Sequence, residues 1–166
     1  TNPMPHAIYT ASIPVFTQML GGLQTVLRKA EAHATEKKID PNALLQARLF
    51  PDMFPLLRQV QVACDFAKSV AARLAGVEVP KMDDNEQTFA DLQTRISTVL
   101  AFLASLTDAQ FAEAATREII TQAGTPKEKR FTGQSYLFNY GLPHFFFHTT
   151  TAYAILRHNG VDVGKK

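Results

Sequence analysis

The sequence predicts one all-α domain, a four-helix bundle with a small β-hairpin before the last helix. Two observations carry this. Four long stretches repeat apolar residues at helical spacing, and the chain of 166 residues suits a single domain spanning 1–166. A chain of this length buries roughly two-thirds of its unfolded surface, so it needs no disulfide or metal to fold. Its single cysteine, Cys64, excludes an internal disulfide. Cys64 lies in the apolar stretch VACDFA and reads as a buried, inert thiol.

Helix one is expected from about Ile8 to Thr35, with Phe16, Met19, Leu20, Leu23, Val26, Leu27 and Ala30 at helical spacing. Pro14 falls in its first turns. Asp40-Pro41 reads as an N-cap and first helical residue, opening a short helix through Ala47. Pro51 and Pro55 mark the start of helix two, and Gly76 is its stop. VEVPKMDD is a loop. Asp84 and Gln87 fit a capping pattern for helix three, whose stripe is Phe89, Leu92, Ile96, Val99 and Leu103. Thr107 and Gln110 suggest a second cap, before a single turn around Phe111. Arg117–Gln122 and Lys129–Thr132 flank AGTPKE as a hairpin. Helix four starts near Gly133 and ends before Gly160.

Composition excludes several classes. A net charge of +2 with scattered basic residues gives no footprint for nucleic acid. No apolar run approaches the ~20 residues that span a bilayer. The first residues, TNPMPHAIYTAS, do not read as a signal peptide, so the expected location is the cytoplasm. No phosphate-cradling glycine loop, nucleophile elbow or CxxC pair is present.

The chemistry concentrates in helix four. Stepping about 100° per residue sets Asn139, Thr150 and Arg157 on the wet side and Leu137, Gly141, His144, His148, Ala152 and Ile155 opposite. Both histidines are therefore expected to face the interior. Four residues apart, they stack on neighbouring turns and can share one metal ion. Phe145, Phe146 and Phe147 fill that turn and favour neutral imidazoles. The competing reading is a pair of hydrogen-bonded core histidines. Pro143 removes an N–H and frees the Asn139 carbonyl, so the helix should kink or loosen just before His144. That break either serves packing alone or opens space at the site. Tyr140, one turn earlier, is a candidate second-shell residue able to orient a ligand or donate a proton, or else a packed aromatic. His6, His33 and His158 read as surface residues.

From His144 to Val161 the chain reads HFFFHTTTAYAILRHNGV. This resembles the last helix of DinB-like proteins: a histidine, three residues, a second histidine, then an end like L-R-x-N-G-V. The order of elements is similar too. The resemblance implies a DinB-like fold of bacterial type, often homodimeric. It also implies a divalent metal, zinc or nickel, held by two histidines of helix four and one of helix two. Some such proteins are transferases or isomerases using a low-molecular-weight thiol. Helix two of this chain has no histidine, and TTT stands where many relatives carry a polar Arg-Gly-Gln stretch. A third ligand would come from Asp52 or Gln59, which lie seven apart on the flank of its buried face. Asp52 is the stronger donor for zinc, but also suits a helix start. Two functions follow as expectations. One is a metal-dependent enzyme with His144, His148 and Asp52 or Gln59 as ligands, taking a thiol or other small molecule. The other is a metal-free binding or scaffold bundle. Neither involves nucleic acid or membrane.

Overall fold

The computed structural model describes residues 3–164. Its elements in chain order are α1 (Ala7–Lys37), α2 (Pro41–Leu45), α3 (Leu56–Ala75), α4 (Phe89–Ser105), a 3₁₀ turn (Asp108–Phe111), β1 (Glu118–Thr121), β2 (Lys129–Thr132), α5 (Gly133–Tyr136), a π turn (Leu137–Gly141) and α6 (Leu142–His158). The long helices α1, α3, α4 and α6 form the bundle. α3 packs chiefly on α6 and on α4, and α1 packs on α4 and α6. Phe16, Leu20 and Leu27 of α1 meet Leu56, Val60 and Leu74 of α3, Leu92 and Ile96 of α4, and Phe145 and Ile155 of α6 in one core. β1 and β2 pair antiparallel, Glu118 opposite Thr132 and Thr121 opposite Lys129. Gln122 ends β1 because its φ of 51° turns the chain into the left-handed region.

Several local expectations hold. The Asp40 side chain accepts from the Asn42 N–H at 3.0 Å, and the Gln110 side chain accepts from the Thr107 N–H at 2.8 Å, one arm of a capping box. Gly76 closes α3 with a φ of 73°, its N–H bonding the Arg73 carbonyl. Cys64 is fully buried, and burial pushes its thiol up to about 12.

Other expectations are corrected. α3 begins at Leu56 and not at Pro51. In a helix from Pro51, Pro55 would lack the N–H for the Pro51 carbonyl and its ring would strike that oxygen. The chain instead turns through Phe50–Met53, with the Met53 N–H on the Phe50 carbonyl at 3.0 Å. Thr88, not Asp84, caps α4, in a capping box with Asp91. Asp84 is drawn instead to two guanidinium groups, 2.9 Å from Arg58 and 3.0 Å from Arg95. His6 lies on the surface as expected, where its backbone N–H and its ring both meet the Asp108 carboxylate, at 2.7 and 2.9 Å.

The break at Pro143 takes the form of a π turn, in which the Leu142 N–H reaches the Leu137 carbonyl. One residue is inserted into the helical path. Gly141, inside this turn, faces α3 closely. A Cβ there would stand 2.9 Å from Val70 Cγ2, so the glycine lets α6 and α3 approach.

Candidate functional site

α3 and α6 form a seam that carries the residues singled out above. From α3 it takes Gln59, Phe66 and Arg73, each seven residues apart and so on one face. From the other side it takes His148, His144, Tyr140 and Tyr136. Phe66 is the hinge of the arrangement. Its ring lies parallel to His144 at 4.8 Å and to His148 at 5.8 Å, and meets Tyr140 edge-on at 5.9 Å. Tyr140 stands 4.6 Å from His144 and 5.6 Å from Tyr136, so five aromatic rings run along the seam.

The two histidines do not share one environment. His148 is buried and His144 is exposed, against the expectation that both face inward. The reason is Phe145. Its ring takes the interior position and packs edge-on against Phe16 at 4.9 Å. An apolar ring gains more from that place than an imidazole, which turns His144 to the rim.

His148 Nδ1 lies 2.7 Å from Gln59 Oε1. Gln59 is 1% exposed, and its Nε2 donates to the Phe54 carbonyl at 3.2 Å. That bond orients the amide, so its oxygen faces the imidazole and accepts from Nδ1–H. The lone pair of His148 is therefore on Nε2. Among the described residues only Arg95 Nε and Arg117 Nε are sealed side-chain atoms without a partner. Nε2, which has no protein partner, is reached by solvent. Burial first, then the charges of His144 and Arg58, lowers His148 to about 4. The ring is neutral at pH 7, a hydrogen-bond acceptor at the mouth of the seam.

Two comparisons with known proteins bear on this arrangement. The family described as "Domain of unknown function (DUF1993)" matches residues 8–166. The chain belongs to the DUF1993 family. Its fold is similar to that of a DinB family member protein from Shewanella denitrificans known from a crystal structure. The two are 47% identical, with a TM-score of 0.89, over 95% of this chain and 89% of that one. The DinB-like fold is thus established for this DUF1993 chain. No curated protein matches it.

As they stand, the seam residues do not make a metal-ligand set. Two imidazoles on one tetrahedral ion bring their ring centres to about 5 Å, and even a linear pair to roughly 6.4 Å. Here the centres are 6.5 Å apart, with the rings inclined by only 17°. Gln59 occupies the α3 position facing His148, and it offers an amide already bonded at both ends. Asp52 lies in the exposed turn ahead of α3. No group of three or more His, Cys, Asp or Glu side chains suited to a metal occurs among the described residues.

The low His148 value has a measurable consequence. An unfolded histidine titrates near 6.5 and the folded one near 4. Between those values the unfolded chain takes up a proton that the folded chain refuses. Stability is therefore full above pH 6.5 and falls as the pH drops toward 4. The expected loss is about 2–3 kcal/mol, somewhat under the full shift because solvent reaches Nε2. Urea unfolding at stepped pH values measures it. His148→Met should remove this component of the slope; an unchanged slope means the ring titrates normally.

Sequence reasoning placed His148, Gln59 and Tyr140 in the seam, and it missed Phe66, Arg73 and Arg95. The seven-residue spacing of Gln59, Phe66 and Arg73 was a readable signal for the first two of these. Arg95 has no such signal. It sits beside the apolar stripe of α4 and is 2% exposed, where a charged residue is not expected.

Proposed function

We propose that this DUF1993 protein is a metal-free DinB-type bundle whose histidine seam binds a small molecule. The observation that carries this reading is the 2.7 Å bond between His148 Nδ1 and Gln59 Oε1. It holds one imidazole in a fixed tautomer from an amide, on the helix from which the DinB pattern draws a third histidine. The neutral Nε2 then accepts a hydrogen bond from a ligand hydroxyl, thiol or N–H. Exposed Phe54 and Phe147 flank the same two residues with apolar surface: Gln59 bonds the Phe54 carbonyl, and the Phe147 ring lies 5.1 Å from His148.

The second reading is a zinc or nickel enzyme using a thiol, with His144, His148 and Asp52 or Gln59 as ligands. It is favoured by the two imidazoles on adjacent turns of α6 against one phenyl ring. Metal analysis separates the two. Under the first reading, purified wild type and His148→Ala both lack stoichiometric metal, and zinc or nickel leaves the unfolding temperature unchanged. Stoichiometric metal in wild type, lost in His148→Ala, would overturn it.

We further infer a homodimer. Its support is an apolar groove of about 650 Å³ between α1 and α6, lined by Met19, Leu23, Val26 and Tyr153. Light scattering on the same sample should give twice the 18.4 kDa chain mass. A single chain mass at all concentrations rejects the dimer.

A further inference from the structure

The far end of the seam holds an arginine without a counter-charge. Arg73 is half-buried in the last turn of α3, where the helix end favours a cation. Its Nη1 donates to the Tyr136 hydroxyl at 2.8 Å. Among the described residues it enters no ion pair. Two of the other inward-lying arginines differ, Arg58 pairing with Asp84 and Arg95 with three carboxylates, whereas Arg117, whose Nε is sealed, also enters no ion pair. Arg73 Nε and Nη2 have no protein partner and are not sealed, so they open to solvent. Those two N–H groups form the fork edge that matches a carboxylate.

Arg73 lines a cavity of about 190 Å³ between α3, the hairpin and the π turn. Its walls include the rings of Phe66 and Tyr140, with Ser69, Thr121 and Gln122 as polar lining. Lys129 adds a second positive charge, its Nζ 5.4 Å from the centre of the Tyr140 ring. Asp65 also borders the cavity, but its carboxylate is held by Arg95 at 2.7 Å and Lys68 at 3.3 Å. Arg73 in the lining and Lys129 beside Tyr140 thus stand as two cations against one carboxylate that is already paired. The volume lies below the roughly 300–1,000 Å³ of sites for drug-sized ligands.

We propose that this cavity binds a small planar organic carboxylate. The carboxylate lies bidentate on the Nε–Nη2 edge of Arg73, and the flat body of the ligand rests against Tyr140. A guanidinium offering one planar edge selects a carboxylate, and the aromatic walls select a flat apolar group beside it. The site involves neither His148 nor Gln59, so it stands or falls apart from the metal assay above.

The test is an amide NMR titration of the full chain with benzoate, with neutral benzamide of the same shape, and with inorganic phosphate. Benzoate is expected to give saturable shifts at Ser69, Thr121 and Tyr140. Benzamide and phosphate should bind at least about tenfold more weakly, the scale of one charge-assisted bond. Arg73→Gln should weaken benzoate by at least about the same factor, with Arg73→Lys in between. Arg28→Gln, the same charge change on an exposed α1 residue, should leave binding unaltered. The Lys variant keeps the charge, so it covers the case in which Gln disturbs the fold. The proposal is wrong if benzoate gives no saturable shifts at these residues. It is equally wrong if benzamide binds as tightly, or if both Arg73 variants bind benzoate as wild type does.

Discussion

Replacing Arg95 with leucine is expected to lower the unfolding free energy by about 3–5 kcal/mol. The guanidinium is 2% exposed and meets Asp65 at 2.7 Å, Asp84 at 3.0 Å and Glu86 at 2.9 Å, with the Asp83 carbonyl also at 2.9 Å. These partners come from α3 and from the loop between α3 and α4, so one side chain of α4 ties that loop to the bundle. Leucine fills much of the space but leaves the carboxylates facing one another. Glu86 is the most exposed to this change, since its own side chain is nearly buried and its other oxygen accepts from Gln61 at 2.7 Å. Urea unfolding at pH 7 measures the loss. Adding Glu86→Gln to Arg95→Leu should recover part of it, because a neutral amide at that place needs no cation. A loss below about 1 kcal/mol would mean the cluster is solvated and behaves as a surface network.

The second large effect is a gain. Gln59→His should create a metal site in the α3–α6 seam. A histidine at this position faces His148 from the neighbouring helix, which supplies a third imidazole beside two already present on α6. It also removes the amide that holds His148 Nδ1, freeing that ring to reorient. Zinc at a hundredfold excess over its dissociation constant should then raise stability by about 2.7 kcal/mol. Thermal unfolding with and without zinc, with metal analysis of the dialysed protein, reads the result. His144→Ala in the same background should abolish the gain. If Gln59→His takes up no zinc, the third position is not on this stretch of α3, and the parallel to the DinB histidine set fails here.

Part of the site was legible because it depends on periodicity alone. His144 and His148 are four apart and Gln59 lies on the flank of the α3 apolar stripe, so both helices had to bring these residues near their shared seam. The division between the histidines was not legible. A wheel drawn at 100° per residue gives both the same face, and the face is broad enough to include either. Which one enters the core was decided by Phe145 meeting Phe16 across the bundle, a contact 129 positions apart in sequence. The start of α3 lies later than expected for a local reason: both prolines signal a helix start, but only Pro55 leaves no second proline to break the first turns. Arg95 was invisible because its partners sit on a loop whose path no pattern in the chain prescribes.

By itself the sequence determined four helices, their apolar stripes, the hairpin, most caps and the DinB-like motif of the last helix. All of these rest on interactions within a few residues: hydrogen-bonded turns, side-chain capping and the 3.6-residue repeat. Only the tertiary structure decided that His148 is bonded to Gln59, that His144 stands at the rim, and that Arg73 and Arg95 face opposite electrostatic settings. Those outcomes follow from which side chains meet between helices, where packing volume and charge compensation compete and local propensity has no vote.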